Sequence, residues 1–189
     1  MAKNLPTVIV LASGRGERFV AAGGTGSKLR APLAGRAVLE RTLDAVRASG
    51  LPWHLEDAGH PGMGDSIAAA VRATPDAAGW LILPGDLPLV TPPTLCAVAA
   101  ALAGPVRAVQ PQHQGERGHP VGFAAGCYEA LAALEGNTGA SPVLRAMRAM
   151  GSVADLALDD IGIVTDIDTP EALARAEALW LVREGAGAA

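Results

Sequence analysis

Thr7-Val8-Ile9-Val10-Leu11-Ala12-Ser13-Gly14-Arg15-Gly16-Glu17-Arg18 is an unbroken apolar run that opens into a glycine loop carrying two arginines. Hydrophobicity without alternation predicts a strand buried on both faces, as in a parallel sheet. Trp80-Leu81-Ile82-Leu83 repeats the pattern and ends at Pro84-Gly85-Asp86-Leu87-Pro88. Between and after these strands the apolar residues take helical spacing. Ala37 to Ala48 reads as a helix closed by Ser49-Gly50. A second helix runs through Ile67, Ala70 and Val71, with Asp65 or Ser66 as its cap. A third is opened by Thr91-Pro92, and others are predicted at Cys127–Leu134 and Pro142–Met150. A last helix opens at Thr169-Pro170-Glu171, and its end from Gly185 is expected to fray.

Shorter strands are predicted at Trp53–Glu56, Val106–Val109, Val121–Phe123 and Val153–Leu158. Ile161–Ile167 reads as a strand or extended segment, and Gln110–Gly118 as a polar loop. Strands alternating with helices predict an α/β, three-layer fold with a mainly parallel sheet, in one domain over 1–189. Ligands of such sheets sit at the carboxyl ends of the strands. Three polar segments follow strands here, namely 13–28, 85–88 and 166–168, and the fold would bring them to one edge.

Composition narrows the function. Half of the 189 residues are hydrophobic, and the formal net charge is −4. No basic block is present, so neither a nucleic-acid nor a membrane partner is expected. No stretch reaches the ~20 apolar residues of a membrane helix. Cys96 and Cys127 have no metal or redox spacing and are expected to be reduced, packed thiols of a cytoplasmic protein. His54, His60, His113 and His119 lack zinc-site spacing.

Glycines in a loop let backbone N–H groups approach phosphate oxygens, and Arg15, Arg18 and Lys28 add positive charge. The pattern is not a dinucleotide fingerprint, because Phe19 stands where Gly or Ala is needed. It is not a P-loop either, because Ser27 precedes Lys28. The alternative is a flexible turn with solvated cations. Asp86 follows a buried strand directly, where a carboxylate can join substrate phosphates on Mg2+; the alternative is a turn residue bonding its own backbone. Asp166 and Asp168 lie two positions apart, so an extended segment would point both the same way. One could join Asp86 on the metal, and both could instead be cap and turn residues.

Taken together, Leu11 to Arg18, Gly85-Asp86-Leu87-Pro88 and Asp166-Ile167-Asp168-Thr169-Pro170-Glu171 resemble the MobA-like nucleotidyltransferases, and most of all their molybdenum cofactor cytidylyltransferase branch. Gly62-Met63-Gly64-Asp65-Ser66-Ile67 and Arg117-Gly118-His119-Pro120-Val121-Gly122-Phe123 extend the likeness over nearly the whole chain. The resemblance implies a Rossmann-like three-layer fold and transfer of a nucleoside monophosphate to a phosphorylated small-molecule acceptor, with Mg2+ as cofactor and pyrophosphate released. It implies that Leu11, Ala12, Ser13, Gly14, Gly16 and Gly85 bind nucleotide and that Arg18 and Lys28 hold the triphosphate. It further implies that Gly62, Met63 and Ser66 lie by the base, that Asp86 (with Asp166 or Asp168) binds the metal, and that His119 and Pro120 face a molybdopterin acceptor. A molybdoenzyme or chaperone partner is implied as well.

The chain departs from the family pattern at five places, one of them Val20, which stands where the pattern has Gly. Ser13 stands where the cytidylyl branch tends to have Ala and the guanylyl branch Gly; its size favours CTP over GTP. Lys28 follows Arg18 by ten positions instead of about five. Only Leu51 to Pro61 separates Gly50 from Gly62, so the sheet is expected to lack one βα unit. Asn137 replaces a carboxylate. These departures keep two other readings in view: transfer to a sugar, alditol or methylerythritol phosphate, and a catalytically degenerate nucleotide- or cofactor-binding protein.

Overall fold

The computed structural model describes residues 5–14 and 16–187. The first part of the chain comprises β1 (Thr7–Leu11), α1 (Glu17–Ala21), β2 (Pro32–Leu33), β3 (Arg36–Ala37), α2 (Val38–Ala48), β4 (Trp53–Glu56), α3 (Met63–Ala73) and β5 (Gly79–Pro84). Then come α4 (Pro92–Ala101), β6 (Ala108–His113), β7 (Glu116–Arg117), β8 (Val121–Ala124), α5 (Tyr128–Ala132), α6 (Ser141–Ala149), β9 (Val153–Ala157) and α7 (Pro170–Gly187). Within the described residues α7 continues as helix through Gly185, where fraying was expected. No helix among the described residues is long and apolar enough to cross a membrane.

The seven-stranded sheet has the order β4-β1-β5-β8-β6-β7, with β9 on the other side of β6. β4 and β5 run parallel to β1, and β9 runs parallel to β6. β8 is antiparallel to both β5 and β6, so β6 shares the direction of β5. The sheet is therefore mainly parallel, as the continuous apolar runs require. Val8, Val10, Leu81, Leu83 and Val109 pack on one face with Leu43 and Val46 of α2 and Leu95 and Val98 of α4. Ile9, Trp80, Ile82 and Phe123 pack on the other face with Ile67 and Val71 of α3, Leu131 of α5 and Met147 of α6. Alternate residues of one apolar run thus feed two cores, which makes three layers. β4 is an edge strand and passes through a loop straight into α3, so the short span between Gly50 and Gly62 holds one strand and no helix.

Several local expectations are corrected. Gln110–Gly118 is no loop: β6 runs on to His113 and turns back as β7 through Gln114 and Gly115, both at positive φ. The polar strand residues are paid for by pairing, since Gln110 is buried and its Nε2 donates to the Gly118 carbonyl at 2.8 Å. Ile161–Val164 is a 3-10 turn, where a strand or extended segment was expected. α3 starts at Met63 with Gly62 as its N-cap residue, so neither Asp65 nor Ser66 is the cap. Cys127 is buried but Cys96 is exposed.

The 3-10 turn clamps the carboxyl ends of the strands. Buried Asp160 accepts from the Thr91 N–H (3.0 Å) and from the hydroxyls of Thr91 (2.8 Å) and Thr94 (2.6 Å). Its other oxygen accepts from the Gly162 N–H at 2.9 Å. Ile163 accepts from the His119 N–H at 2.9 Å, and Ile167 donates its N–H to the Asp86 carbonyl at 3.1 Å. Gly162 fits because it has no side chain: a Cβ there would lie 2.2 Å from the Leu89 carbonyl oxygen. Gly162→Ala should therefore destabilise the fold by about 1–3 kcal/mol, as overpacking does, in a urea titration. A change below about 0.5 kcal/mol would show that the clamp yields freely.

Candidate functional site

The glycine loop leaves β1 at the sheet's carboxyl edge. Gly16, at φ +64°, is in the left-handed region that glycine tolerates and most residues do not. α1 follows, where a loop was expected, and buries Phe19. The chain then folds back on Phe19: the Gly24 N–H donates to the Phe19 carbonyl at 2.9 Å, and a Cβ on Gly24 would strike the ring. This return brings Lys28 beside Gly16, where a Cβ added to the glycine would lie 3.6 Å from the lysine. The residues added between Arg18 and Lys28 therefore form a closed excursion, and the lysine returns to the loop. Arg15, named from the sequence, lies outside the described residues.

Lys28 is the electrostatic hub. Its Nζ lies 2.6 Å from Asp86 Oδ2 and 2.6 Å from Asp168 Oδ1, while Arg18 pairs with the second oxygen of Asp168. Lys28 and Asp86 are largely shielded, whereas Arg18 stands in solvent with 83% of its side chain exposed. Burial alone would lower the Lys28 pKa, but the carboxylates of Asp86 and Asp168 outweigh it and hold it above its ordinary value. Burial likewise opposes ionisation of Asp168, and the Lys28 and Arg18 cations overcome it and keep its carboxyl below the usual range. The other Asp86 oxygen, Oδ1, is buried and has no hydrogen-bond partner. A bare carboxylate oxygen beside a second carboxylate is a donor set suited to a hard divalent cation completed by phosphate oxygens. No group of three or more His, Cys, Asp or Glu placed to hold a metal occurs among the described residues.

Around this cluster opens a cavity of about 480 Å³. Of the residues named from the sequence, Leu11, Ser13, Gly14, Gly16, Arg18 and Lys28 line one side of it. Gly62, Met63 and Ser66 line another, and Asp86 and Asp168 lie between. Ala12 and Gly85 are not among its lining residues and act through their backbone: Ala12 donates to the Glu56 carbonyl at 2.8 Å and Gly85 to the Leu11 carbonyl at 2.9 Å. Asp166 is exposed and does not line the cavity, whereas Asp168 does. His60, for which the sequence offered no site role, and Asn137, noted there only as the replacement of a carboxylate, also line the cavity. Asn137 is delivered by the backbone bond from Gly64 N–H to the Gly136 carbonyl (2.7 Å), over a glycine at 62 where a Cβ would lie 2.3 Å from that oxygen. His60 could have been found by its place between the end of β4 and Gly62.

A second cavity of about 210 Å³ shares Leu11, Met63 and Pro84 with the first. Ile67, Ile82, Phe123 and Leu144 give it apolar walls, with Gln110, Arg117 and His119 as polar groups. Pro120 is buried beside it and does not line it. Burial pushes the His119 pKa below its ordinary 6.5, against the pull of the Asp86 and Asp166 charges, so the ring is neutral at pH 7. Below pH 6.5 the unfolded chain takes up a proton that the folded ring resists. Stability should therefore fall as the pH is lowered from about 7 to about 5, and less so in His119→Gln, read as Tm against pH. Parallel Tm curves for the two proteins would refute this.

Residues 45–156 match the MobA-like NTP transferase domain. The matched stretch holds Gly62, Met63, Ser66, Asp86 and His119, while the glycine loop and Asp168 lie outside it. No curated protein matches the chain by sequence. Among solved structures, a nucleotidyl transferase from Methanothermobacter thermautotrophicus is 22% identical, with a TM-score of 0.76 over 95% of this chain and 99% of that one. Rv0371c from Mycobacterium tuberculosis H37Rv is 24% identical, with a TM-score of 0.73 over 93% and 98%; it has also been solved as a manganese complex. The 4-diphosphocytidyl-2C-methyl-D-erythritol synthase of Anaerococcus prevotii is 17% identical, with a TM-score of 0.72 over 94% and 99%. These likenesses show a common fold. The chain belongs to the MobA-like NTP transferase family and is a nucleotidyltransferase of that type.

Proposed function

We propose that this MobA-like NTP transferase moves CMP from CTP, in preference to GMP from GTP, onto the phosphate of a molybdopterin-type acceptor in a magnesium-dependent reaction that releases pyrophosphate. The observation that carries the reading is the Arg18–Asp168–Lys28–Asp86 cluster set in a cavity that also runs along the glycine loop and the start of α3. Asp86 and Asp168 would hold the magnesium ion, which neutralises phosphate charge when bound. That the mycobacterial protein of the same fold has been solved as a manganese complex supports use of a divalent cation.

An oxygen of the acceptor phosphate attacks the α-phosphorus, and the bond to the β-phosphate oxygen breaks. The attacking phosphate is already ionised, so no strong general base is needed. Catalysis rests on alignment and on charge neutralisation. Backbone N–H groups of the glycine loop grip the triphosphate. Lys28 turns its ammonium from the carboxylates towards the phosphates, and Arg18, free to move in solvent, takes charge developing on the pyrophosphate. Ser13, larger than Gly and hydrogen-bonded by the Ser66 hydroxyl of the base side at 3.2 Å, supports the smaller pyrimidine. The second cavity, with the apolar walls of Ile67, Ile82, Phe123 and Leu144 for a flat ring and Arg117 and His119 for a phosphate tail, supports a heterocyclic phosphorylated acceptor.

With CTP, Mg2+ and molybdopterin, pyrophosphate should be released. Methylerythritol phosphate or a sugar phosphate as acceptor should give at most background release. Asp86→Asn should lower turnover roughly 100-fold or more without changing the circular dichroism spectrum. In a thermal-shift series of CTP, GTP, UTP and ATP with Mg2+, CTP should raise Tm most. Equal shifts for all four would remove the CTP assignment, and an Asp86→Asn enzyme of normal rate would remove the metal role.

A further inference from the structure

The last residue of β4, Glu56, is buried, yet no step of the proposed transfer uses it. It pairs in register with Leu11, at the mouth of the glycine loop. Its backbone carbonyl accepts from the Ala12 N–H at 2.8 Å and from the Ser13 hydroxyl at 3.1 Å, and Ser66 donates to that same Ser13 hydroxyl at 3.2 Å. Its side chain points at a histidine. Oε1 accepts from the Ala58 N–H at 3.1 Å and lies 3.2 Å from His60 Nε2. His54 Nε2 is 3.6 Å from the other oxygen, beyond hydrogen-bond length, and His54 does not line the cavity. His60 does line it, on the same side as Gly62, Met63 and Ser66.

A carboxylate can only accept, so of the two tautomers of an uncharged imidazole the one with its hydrogen on Nε2, facing Glu56 Oε1, is favoured here. Nδ1 is then left with a lone pair and, among the described residues, with no partner. We propose that His60, its tautomer fixed by Glu56, reads the nucleobase by accepting a hydrogen bond from an exocyclic amine, the 4-amino group of cytosine, and so rejects uracil, which carries an oxygen there. This rests on the reading that the cavity holds a nucleoside triphosphate, and adds to it the group that tells one pyrimidine from the other. His60 is a specificity-determining residue in this account, and Glu56 acts through it as a positioning residue.

Calorimetric titration of the full chain with CTP, UTP and inorganic pyrophosphate, each with Mg2+, tests the pairing. The wild type should bind CTP at least tenfold more tightly than UTP, the scale of one good hydrogen bond against an unpaired acceptor. His60→Phe keeps the ring's bulk without its nitrogens, and His60→Ala removes the ring. Both should bring the CTP-to-UTP ratio to within about threefold of unity while leaving pyrophosphate affinity unchanged. Glu56→Gln should erode the ratio in the same direction, again without moving pyrophosphate. An unchanged ratio in the His60 variants overturns the inference, as does a wild type that binds UTP as tightly as CTP. A matching loss of pyrophosphate affinity would assign His60 and Glu56 to holding the loop alone, which also overturns it. A wild type that binds pyrophosphate but no nucleoside triphosphate contradicts the nucleotide reading itself.

Discussion

Asp86, near the middle of the chain, and Asp168, near its end, meet on either side of a largely shielded lysine. Like charges so placed repel unless a cation lies between them, and here the ammonium of Lys28 does. The rest of the site follows from keeping this arrangement in place. β5 delivers Asp86 at the edge of the sheet. The closed excursion around Phe19 returns Lys28 to the glycine loop. The backbone bond from Ile167 to the Asp86 carbonyl fixes the segment that carries Asp168. Losing the lysine would strand a buried carboxylate, a change that typically costs about 3–5 kcal/mol.

The cluster also explains why a transferase would keep charged groups in a shielded place. An ammonium is a removable counter-charge: it steadies two carboxylates in the resting protein and can give way to a divalent ion and a triphosphate. Arg18 is the mobile partner, paired with Asp168 yet mostly in solvent. The cavity beside them divides the remaining work. One wall belongs to the glycine loop, another to the start of α3, and the smaller apolar cavity opens past Leu11, Met63 and Pro84. Leu11 and Pro84 end neighbouring strands and Met63 opens α3, so the boundary between the two cavities is set by the sheet edge itself.

Much of this was legible in the sequence because it rests on local rules. Continuous apolar runs gave β1 and β5, helical spacing gave α2, α3 and α4, and Thr169-Pro170 marked the start of α7, where the Thr169 hydroxyl accepts from the Ala172 N–H at 3.1 Å. What escaped reading depends on partners remote in sequence. Gln110 to His113 look like loop residues until β7 and β9 pair with them and Gly118 takes up the Gln110 amide. Ile161 to Val164 look extended until Asp160 gathers Thr91, Thr94 and Gly162 into a turn. Asp166 and Asp168 flank the buried Ile167, and which of them meets Lys28 is set by the fold around the loop: Asp168 pairs with it, while Asp166 is exposed. His60 is unremarkable in the sequence because its partner, Glu56, is buried by tertiary packing alone.

The central claim is that the carboxylates around Lys28 bind a divalent ion together with a nucleotide's phosphates. Electron paramagnetic resonance of Mn2+ tests it directly, since free and protein-bound ion give distinct signals. The account predicts one bound ion per chain when CTP is present, weak binding without nucleotide, and loss of the bound signal in an Asp86→Asn, Asp168→Asn double variant that remains folded. Equal binding of Mn2+ and CTP by the wild type and the double variant would contradict it.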